Sequence, residues 1–240
     1  MLISVESLPL IQAPLLQSED WLIHGFGLKD TPVERYLETL GSPKAVIPKT
    51  KQTHGSHVHL LKKVNGPWST VHGPLQGDAF LTDQPGIVCH VRTADCVPLL
   101  LADCKNHVIG AVHAGWRGTA QKVVVAAIEK MREKWKTEPA DLKAALGPAI
   151  GGHCYEVGAD VAGAFEKAGL HPGEWMEEIW NDRWYLDLAF ANFHLLQAAG
   201  VPKEKIYVSL ACTACDLEKF ASYRKEGKGT GRQESFIMIR

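Results

Sequence analysis

Two apolar runs that follow each other closely constrain the fold of this chain more than any other feature. VPLLLAD occupies residues 97–103 and HVIGAVH occupies residues 107–113, and only three residues separate them. Apolar runs of this length joined by a short polar connection are typical of a β-hairpin in the interior of a sheet. We therefore predict that the two runs pair as antiparallel strands.

The connecting residues leave two registers open for this hairpin. A loop of Cys104 and Lys105 places Cys96 directly opposite His113, whereas a loop of Lys105 and Asn106 shifts the pairing by two positions. In both registers the thiol and the imidazole lie within reach of each other, where the strands end. Such a pair can consist of packing residues, a nucleophile with its base, or two metal ligands.

A third candidate residue lies earlier in the chain. His54 is followed by a glycine, which predicts a turn, and functional side chains often lie in such turns. We interpret His57 and His59, which share one face of the next strand, as surface or half-buried strand residues. A set of His54, Cys96 and His113 would leave the fourth position of a zinc ion open, as catalytic zinc sites require.

The rest of the chain predicts a mixed α and β fold in which helices cover antiparallel hairpins. Strands are predicted at 21–28, 57–64, 78–82, 86–91, 97–103, 107–113, 142–146, 205–210 and 235–239, and helices at 118–135, 159–167 and 187–199. Neither repeats nor linker-like segments interrupt the pattern. We therefore expect one domain spanning residues 1–240.

The overall charge and hydropathy narrow the classes of partner. The chain has 240 residues and a formal net charge of -1, which gives no global field for nucleic acid or an anionic membrane. No apolar run approaches the length of a membrane helix, and the N-terminal residues do not resemble a secretory leader. The six cysteines are scattered, which favours free thiols or metal ligands. We expect a soluble cytoplasmic protein with a small-molecule substrate.

Six segments together resemble one known family. They are QTHG (52–55), GDAFLT (77–82), TADCVPLLLAD (93–103), AVHAGWRGT (111–119), GPAIGGHCYEVG (147–158) and SYRKEGKGTGRQ (222–233). In these segments the chain resembles the YfiH/laccase-domain family, from about residue 20 to the C-terminus. The spacing of TADC and HAGWRG makes this resemblance specific.

The resemblance implies a layered α/β/β/α fold of the cysteine-hydrolase-like kind, and a zinc ion bound by His54, Cys96 and His113, with copper as the less favoured metal. It also implies phosphorolysis of adenosine, inosine, guanosine or methylthioadenosine, and hydrolytic deamination of adenosine. Some bacterial members are described as peptidoglycan editing factors, which would hydrolyse an amino acid from UDP-muramoyl precursors. An older label for the family is polyphenol oxidase.

Phosphorolysis requires cationic groups that hold inorganic phosphate, and arginine suits this role best. Arg117 closely follows the candidate ligand in the second strand of the hairpin, and Arg232 and Gln233 end a glycine-rich basic segment. We expect these three residues to bind substrate, although a solvated basic loop is the alternative interpretation of the segment. Asp95 is a candidate proton carrier or a residue that bonds nearby backbone.

Other readings of the cysteines and histidines remain open. Without a metal, Cys96 would be a nucleophile activated by its histidine neighbour. Cys154 precedes a predicted helix and is a second conceivable reactive thiol, whereas Cys212 and Cys215 lack a partner CxxC and are interpreted as packing thiols. A multicopper centre would need several clustered histidines, and a binding module would need no open metal site.

Overall fold

The computed structural model describes residues 8–63, 73–170, 173 and 175–240. Its centre is a six-stranded sheet with the order β13-β9-β7-β8-β5-β3. The strands of this sheet are β3 (Val58–Leu60), β5 (Ala79–Thr82), β7 (Val97–Asp103), β8 (Val108–Ala114), β9 (Leu142–Leu146) and β13 (Ile206–Val208). The two strands predicted to form the hairpin, β7 and β8, lie side by side within it.

Three smaller sheets and a set of helices complete the described fold. The smaller sheets contain β1 (Leu22–Phe26), β14 (Gln233–Ile239) and β6 (Val88–Thr93); β10 (Glu156–Gly158), β12 (Arg183–Leu186) and β11 (Met176–Trp180); and β2 (Thr50–Lys51) with β4 (Leu75–Gln76). The α-helices are α1 (Pro14–Gln17), α2 (Val33–Thr39), α3 (Trp116–Ala120), α4 (Val123–Trp135), α5 (Ala159–Lys167), α6 (Leu188–Ala198) and α7 (Tyr223–Glu226). Within the described ranges, no helix combines the length and apolarity needed to cross a bilayer.

The side chains of β7 alternate between two cores, which explains why its sequence is apolar throughout. Leu99 and Leu101 pack with Val124 of α4 and with α6 residues, while Leu100 packs toward Phe26 of β1 in the second sheet. A strand that is buried on both faces reads as a continuous apolar run rather than as an alternating one. The central sheet therefore lies between a helical layer and a second sheet.

The fourth layer covers the outer face of the sheet that contains β1, β14 and β6. Tyr36 and Leu37 of α2 are buried there against Ile23 of β1 and Phe236 of β14. The order of layers is helix, sheet, sheet and helix, which confirms the α/β/β/α prediction. The short helix α2 was not predicted, because seven residues carry too few turns for a reliable apolar period.

The hairpin adopts the second of the two registers considered. Pro98 pairs with His113 and Asp103 pairs with Val108, so the register that places Cys96 opposite His113 is wrong. The Asp103 carboxylate stabilises the observed turn, because it accepts hydrogen bonds from the backbone N–H groups of Lys105 and Asn106. The loop therefore extends over residues 104–107.

The other predicted elements agree with the observed ones, with two qualifications. The predicted strand 57–64 is confirmed at Val58–Leu60, and residue 64 lies outside the described residues. The predicted helix 118–135 is divided into α3 and α4 at Lys122, whose φ of 58° is incompatible with a continuous helix. The apolar spacing alone does not reveal this break.

Burial of His24 on β1 predicts a loss of stability in mild acid. Burial lowers the pKa of His24 to about 4, and its Nε2 accepts a hydrogen bond from the Ala13 backbone N–H at 3.0 Å. The unfolded chain, where the pKa is about 6.5, binds the extra proton first, so stability falls as the pH drops from about 6.5 to 4. Between pH 7 and pH 5 this group alone should cost about 2 kcal/mol of unfolding free energy.

Urea unfolding at both pH values checks this expectation. The His24→Gln variant should lose about 2 kcal/mol less than the parent over the same interval, because glutamine does not titrate. The exposed His57 provides the control, since His57→Gln should keep the parent's pH dependence. An identical dependence in parent and His24→Gln would contradict the expectation.

Candidate metal centre

Three residues from separate parts of the chain meet at one end of the hairpin. His54 lies in the turn after β2, Cys96 directly precedes β7, and His113 lies in β8; their donor atoms are all within 4.8 Å of one another. The two imidazole rings meet edge to face at a centroid distance of 4.7 Å. His113 is buried and His54 is exposed, so one side of the group faces protein and the other faces solvent. Their role as ligands remains a prediction.

A buried carboxylate orients two of these three residues. Asp78, which directly precedes β5, is fully buried, and its Oδ1 accepts hydrogen bonds from His113 Nδ1 at 2.8 Å and from the His54 backbone N–H at 2.9 Å. Its Oδ2 accepts from the Thr53 hydroxyl at 2.8 Å and from the Gly55 N–H at 2.8 Å. Because an ionised carboxylate only accepts, Nδ1 of His113 donates to Asp78, and Nε2 is the ring nitrogen left for a ligand.

Asp78 belongs to the candidate site by its hydrogen bonds, and the sequence pattern did not identify it. Its segment, GDAFLT, contributed a strand and part of the family resemblance, but the carboxylate itself received no role. The available signal was an aspartate at the start of a strand whose following residues are all apolar or small. A fully buried carboxylate needs partners, and here the partners are the turn and the histidine of the site.

The surroundings of Cys96, His113 and Asp78 shift the pKa values of these three groups. Burial alone would raise the pKa of the Cys96 thiol, but the charge of His113 and hydrogen bonds from both histidines lower it to about 6. Burial opposes the charged form of His113, yet Cys96 and Asp78 together raise its pKa to about 9. Burial opposes ionisation of Asp78, but the hydrogen bonds from His113, Gly55 and Thr53 and the charge of His113 together lower its pKa to about 2. The site therefore favours an anionic sulfur.

Gly115 leaves the space that the three side chains occupy. A Cβ atom on Gly115 would lie 3.0 Å from Cys96 Sγ and 3.1 Å from His54 Cδ2. The backbone of Gly115, with φ of -76°, accepts any residue, so the constraint is the space and not the conformation. Gly115→Ala should displace both side chains by a few tenths of an ångström and lower turnover about tenfold, with little change in unfolding free energy.

Gly163 in α5 is the matched control for that substitution. Nothing lies within 4 Å of a Cβ built on Gly163, so Gly163→Ala should leave turnover unchanged and stabilise the helix by about 0.5–1 kcal/mol. Steady-state kinetics and thermal unfolding of both variants measure the difference. Equal turnover of Gly115→Ala and the parent would show that the site tolerates the added methyl group.

Asp95 accepts hydrogen bonds from nearby backbone and side-chain groups. This agrees with the prediction that it bonds nearby backbone. It adopts a φ of 88°, and its Oδ1 accepts a hydrogen bond from the Thr213 hydroxyl at 2.7 Å. Its Oδ2 accepts from the Arg224 backbone N–H at 2.7 Å, and its carbonyl oxygen accepts from the Ile150 N–H. Both carboxylate oxygens are therefore engaged, and Asp95 connects three segments beside Cys96.

Two arginines lie on the side of the site where Tyr155 is found. The guanidinium of Arg117 stacks on the Trp116 ring at 4.2 Å, and that of Arg224 lies 5.0 Å from the centroid of the Tyr155 ring. Burial and the nearby Cys96 raise the pKa of Tyr155, and the positive charges of Arg224 and Arg117 oppose that rise. Arg117, Arg224 and Cys96 thus all influence the Tyr155 hydroxyl.

Arg232 and Gln233, the other two residues predicted to bind substrate, form hydrogen bonds with the protein's own backbone. Arg232 donates from Nη1 to the carbonyl oxygens of Thr230 and Gly231, within its own loop. Gln233 is buried in β14, where its amide exchanges two hydrogen bonds with the backbone of Ala221. We therefore assign Gln233 a structural role, joining β14 to the segment before α7.

Cys212 and Cys215 are not packing thiols of a core, so that interpretation is wrong. Cys154, Cys212 and Cys215 lie together with His153, and Cys215 is exposed. The reactive-thiol interpretation of Cys154 also fails, because the whole of β10 separates this residue from the N-terminus of α5. These four residues form a second cluster of metal-binding side chains within the described residues.

Comparison with known families matches residues 31–240 to the family described as multi-copper polyphenol oxidoreductase laccase. The chain belongs to the laccase-domain (YfiH) family. Among laccase-domain relatives, a purine nucleoside phosphorylase of Deinococcus radiodurans is 41% identical over 204 residues, which cover 85% of this chain and 74% of that protein. Adenosine deaminase RL5, from an unknown prokaryotic organism, is 39% identical over 160 residues, or 66% of this chain and 61% of that protein.

Solved structures of laccase-domain proteins have the same fold. YlmD from Geobacillus stearothermophilus superimposes with a TM-score of 0.85 at 28% identity, covering 95% of this chain and 94% of that one. YfiH from Bacillus licheniformis gives a TM-score of 0.83 at 27% identity, covering 92% of this chain and 95% of that one. The layered architecture is therefore that of the laccase-domain family.

Proposed function

We propose that this chain is a metal-dependent purine nucleoside phosphorylase that also deaminates adenosine. His54, Cys96 and His113 would bind one zinc ion. The convergence of these three donors at the solvent-facing end of the hairpin is the observation that supports the proposal. Relatives named for the two activities, at 41% and 39% identity, give the substrate class.

The donor set fits zinc better than a multicopper centre. Two imidazoles and one thiolate with an open fourth position are typical of catalytic zinc sites, and zinc at such a site supplies a Lewis acid. Multicopper oxidation needs several clustered histidines, and within the described residues His57 and His59 belong to neither of the two ligand clusters. We therefore do not extend the family's laccase description to the activity of this chain.

The protein's own residues would orient the metal ligands and hold the second substrate. Asp78 holds Nδ1 of His113 through a hydrogen bond, so Nε2 would be the nitrogen that binds the metal. Arg117 and Arg224 would hold inorganic phosphate beside Cys96, since guanidinium groups bind phosphate through paired, charged hydrogen bonds. Arg232 would support the shape of the basic loop through its bonds to Thr230 and Gly231.

Two assays on the zinc-loaded protein test the proposed function. With inosine or adenosine and inorganic phosphate, the free base and ribose 1-phosphate should form. With adenosine alone, inosine and ammonia should form. Release of an amino acid from UDP-muramoyl-amino acids, with no turnover of nucleosides, would overturn the proposal in favour of precursor editing.

Replacing Arg117 separates phosphate binding from the rest of the reaction. Arg117→Ala should raise the KM for phosphate by about tenfold or more, because a hydrogen bond to a charged group contributes about 1.5–3 kcal/mol. Deamination needs no phosphate and should be affected much less. Arg35→Ala, at an exposed position on α2, is the control and should leave both activities unchanged. Equal losses in the two reactions would argue against a phosphate-binding role.

A further inference from the structure

A second group of metal-binding side chains lies outside the site described above. His153 and Cys154 belong to a 3-10 turn, Gly152–Cys154, while Cys212 and Cys215 flank a tight turn later in the chain. One donor atom from each residue lies within 4.8 Å of the other three. From this geometry we propose that the four residues bind one structural Zn²⁺ ion, independently of the proposed enzymatic function.

The distances within the cluster are close to those of a tetrahedral zinc site. Cys154 Sγ lies 3.5 Å from Cys215 Sγ, and His153 Nε2 lies 3.3 Å from Cys215 Sγ. Zinc bond lengths of about 2.3 Å to sulfur and 2.0–2.1 Å to nitrogen place tetrahedral ligands about 3.6–3.8 Å apart. A disulfide would need about 2.05 Å between sulfurs, so the observed thiols are not covalently paired.

The backbone around Cys212 is arranged as a support for a thiolate. The Gly151 N–H donates to Cys212 Sγ at 3.2 Å, and the Cys215 N–H donates to the Cys212 carbonyl oxygen at 3.2 Å. The first bond places a donor on the sulfur, and the second closes the turn that brings both cysteines to the same side. Such bonds orient zinc ligands in the same way as hydrogen bonds to ligating histidines.

The number of ligands distinguishes this cluster from the first. Three cysteines and one histidine fill all four positions of a tetrahedral ion, and closed sites of this kind are structural. The site at the hairpin has three donors and an open position. A closed site would also stabilise the fold here, because it would crosslink two segments that have little regular secondary structure. These segments are residues 151–155 and 209–222.

Metal analysis of the whole protein, purified under anaerobic conditions, tests this proposal. The parent should contain two zinc ions per chain, and Cys215→Ser should contain one. Cys104 is a free thiol outside both clusters, so Cys104→Ser should retain two. Cys215→Ser should also lower the thermal unfolding midpoint, whereas Cys104→Ser should leave it close to the parent's.

Cobalt substitution identifies the ligands of the second ion without relying on enzymatic turnover. In Cys96→Ser protein, one bound Co²⁺ should show the strong thiolate-to-metal absorption and the tetrahedral visible bands of a three-thiolate site. Adding Cys215→Ser in that background should weaken them. Absence of any bound metal in Cys96→Ser, or a Cys154–Cys215 disulfide in the anaerobic parent, would overturn the proposal. Loss of nucleoside turnover alone would leave it intact.

Discussion

Replacing Cys96 with serine is expected to lower purine nucleoside turnover by about 10³-fold or more. A neutral hydroxyl is a poor zinc ligand, so the variant should lose the metal. Stabilisation of transition-state charge by a metal typically contributes several kcal/mol, and each 1.36 kcal/mol changes the rate about tenfold. Bound zinc should fall by one ion per chain. Elemental analysis and steady-state kinetics on the same preparation measure both quantities.

The other cysteines provide the control for this result. Cys104→Ser changes a partly buried thiol that belongs to neither cluster, and it should retain the parent's turnover and zinc content. A Cys96→Ser protein that keeps its full zinc content but loses turnover would argue for the metal-free alternative. In that alternative Cys96 is a nucleophile, and exhaustive chelation would leave the parent active.

Asp78→Asn should weaken the site through the residues that Asp78 orients. The asparagine amide cannot accept all of the hydrogen bonds that the carboxylate takes from Thr53, His54, Gly55 and His113. Loss of a hydrogen-bonded partner of a ligating histidine typically lowers metal affinity about 10- to 100-fold. Unsatisfied buried donors should also cost about 1–3 kcal/mol of unfolding free energy. Zinc titration and chemical unfolding measure the two effects separately.

Asp103→Asn controls for the loss of stability alone. Asp103 is also fully buried and accepts several hydrogen bonds, but its partners are Lys105 and Asn106 in the hairpin loop. Its replacement should destabilise the fold and leave zinc affinity unchanged. If Asp103→Asn lowered zinc affinity as much as Asp78→Asn, general destabilisation would explain both results.

The apolar pattern predicted the strands and the covering helices well, because apolar periodicity reports directly on which faces are buried. The arrangement in four layers was predicted from the family resemblance. The sheet centred on β7 and β8 follows from two adjacent apolar runs. The register of the hairpin could not be chosen from these runs, since both options bury the same residues. The observed turn is stabilised by hydrogen bonds to the Asp103 side chain, which the apolar pattern does not reveal.

The predicted hairpin placed Cys96 and His113 close together, but only the family resemblance joined them to His54 in one site. His54, Cys96 and His113 meet because β3, β5, β7 and β8 are neighbours in one sheet, and no local pattern encodes that order. Asp78 was not predicted for the same reason, because its hydrogen-bond partners lie on other segments of the chain. In the second cluster, the CxxC spacing of Cys212 and Cys215 was visible, but its partners precede it by almost sixty residues.

The hydrogen bonds of Asp95 couple the stability of the two clusters. Thr213 lies between the two cysteines of the second cluster and donates to Asp95, which directly precedes Cys96. The same carboxylate fixes the Arg224 backbone. A change in the turn at the exposed Cys215 would therefore act on Thr213 and, through one oxygen of Asp95, on the residue next to Cys96. A single aspartate side chain thus joins the surroundings of the two clusters.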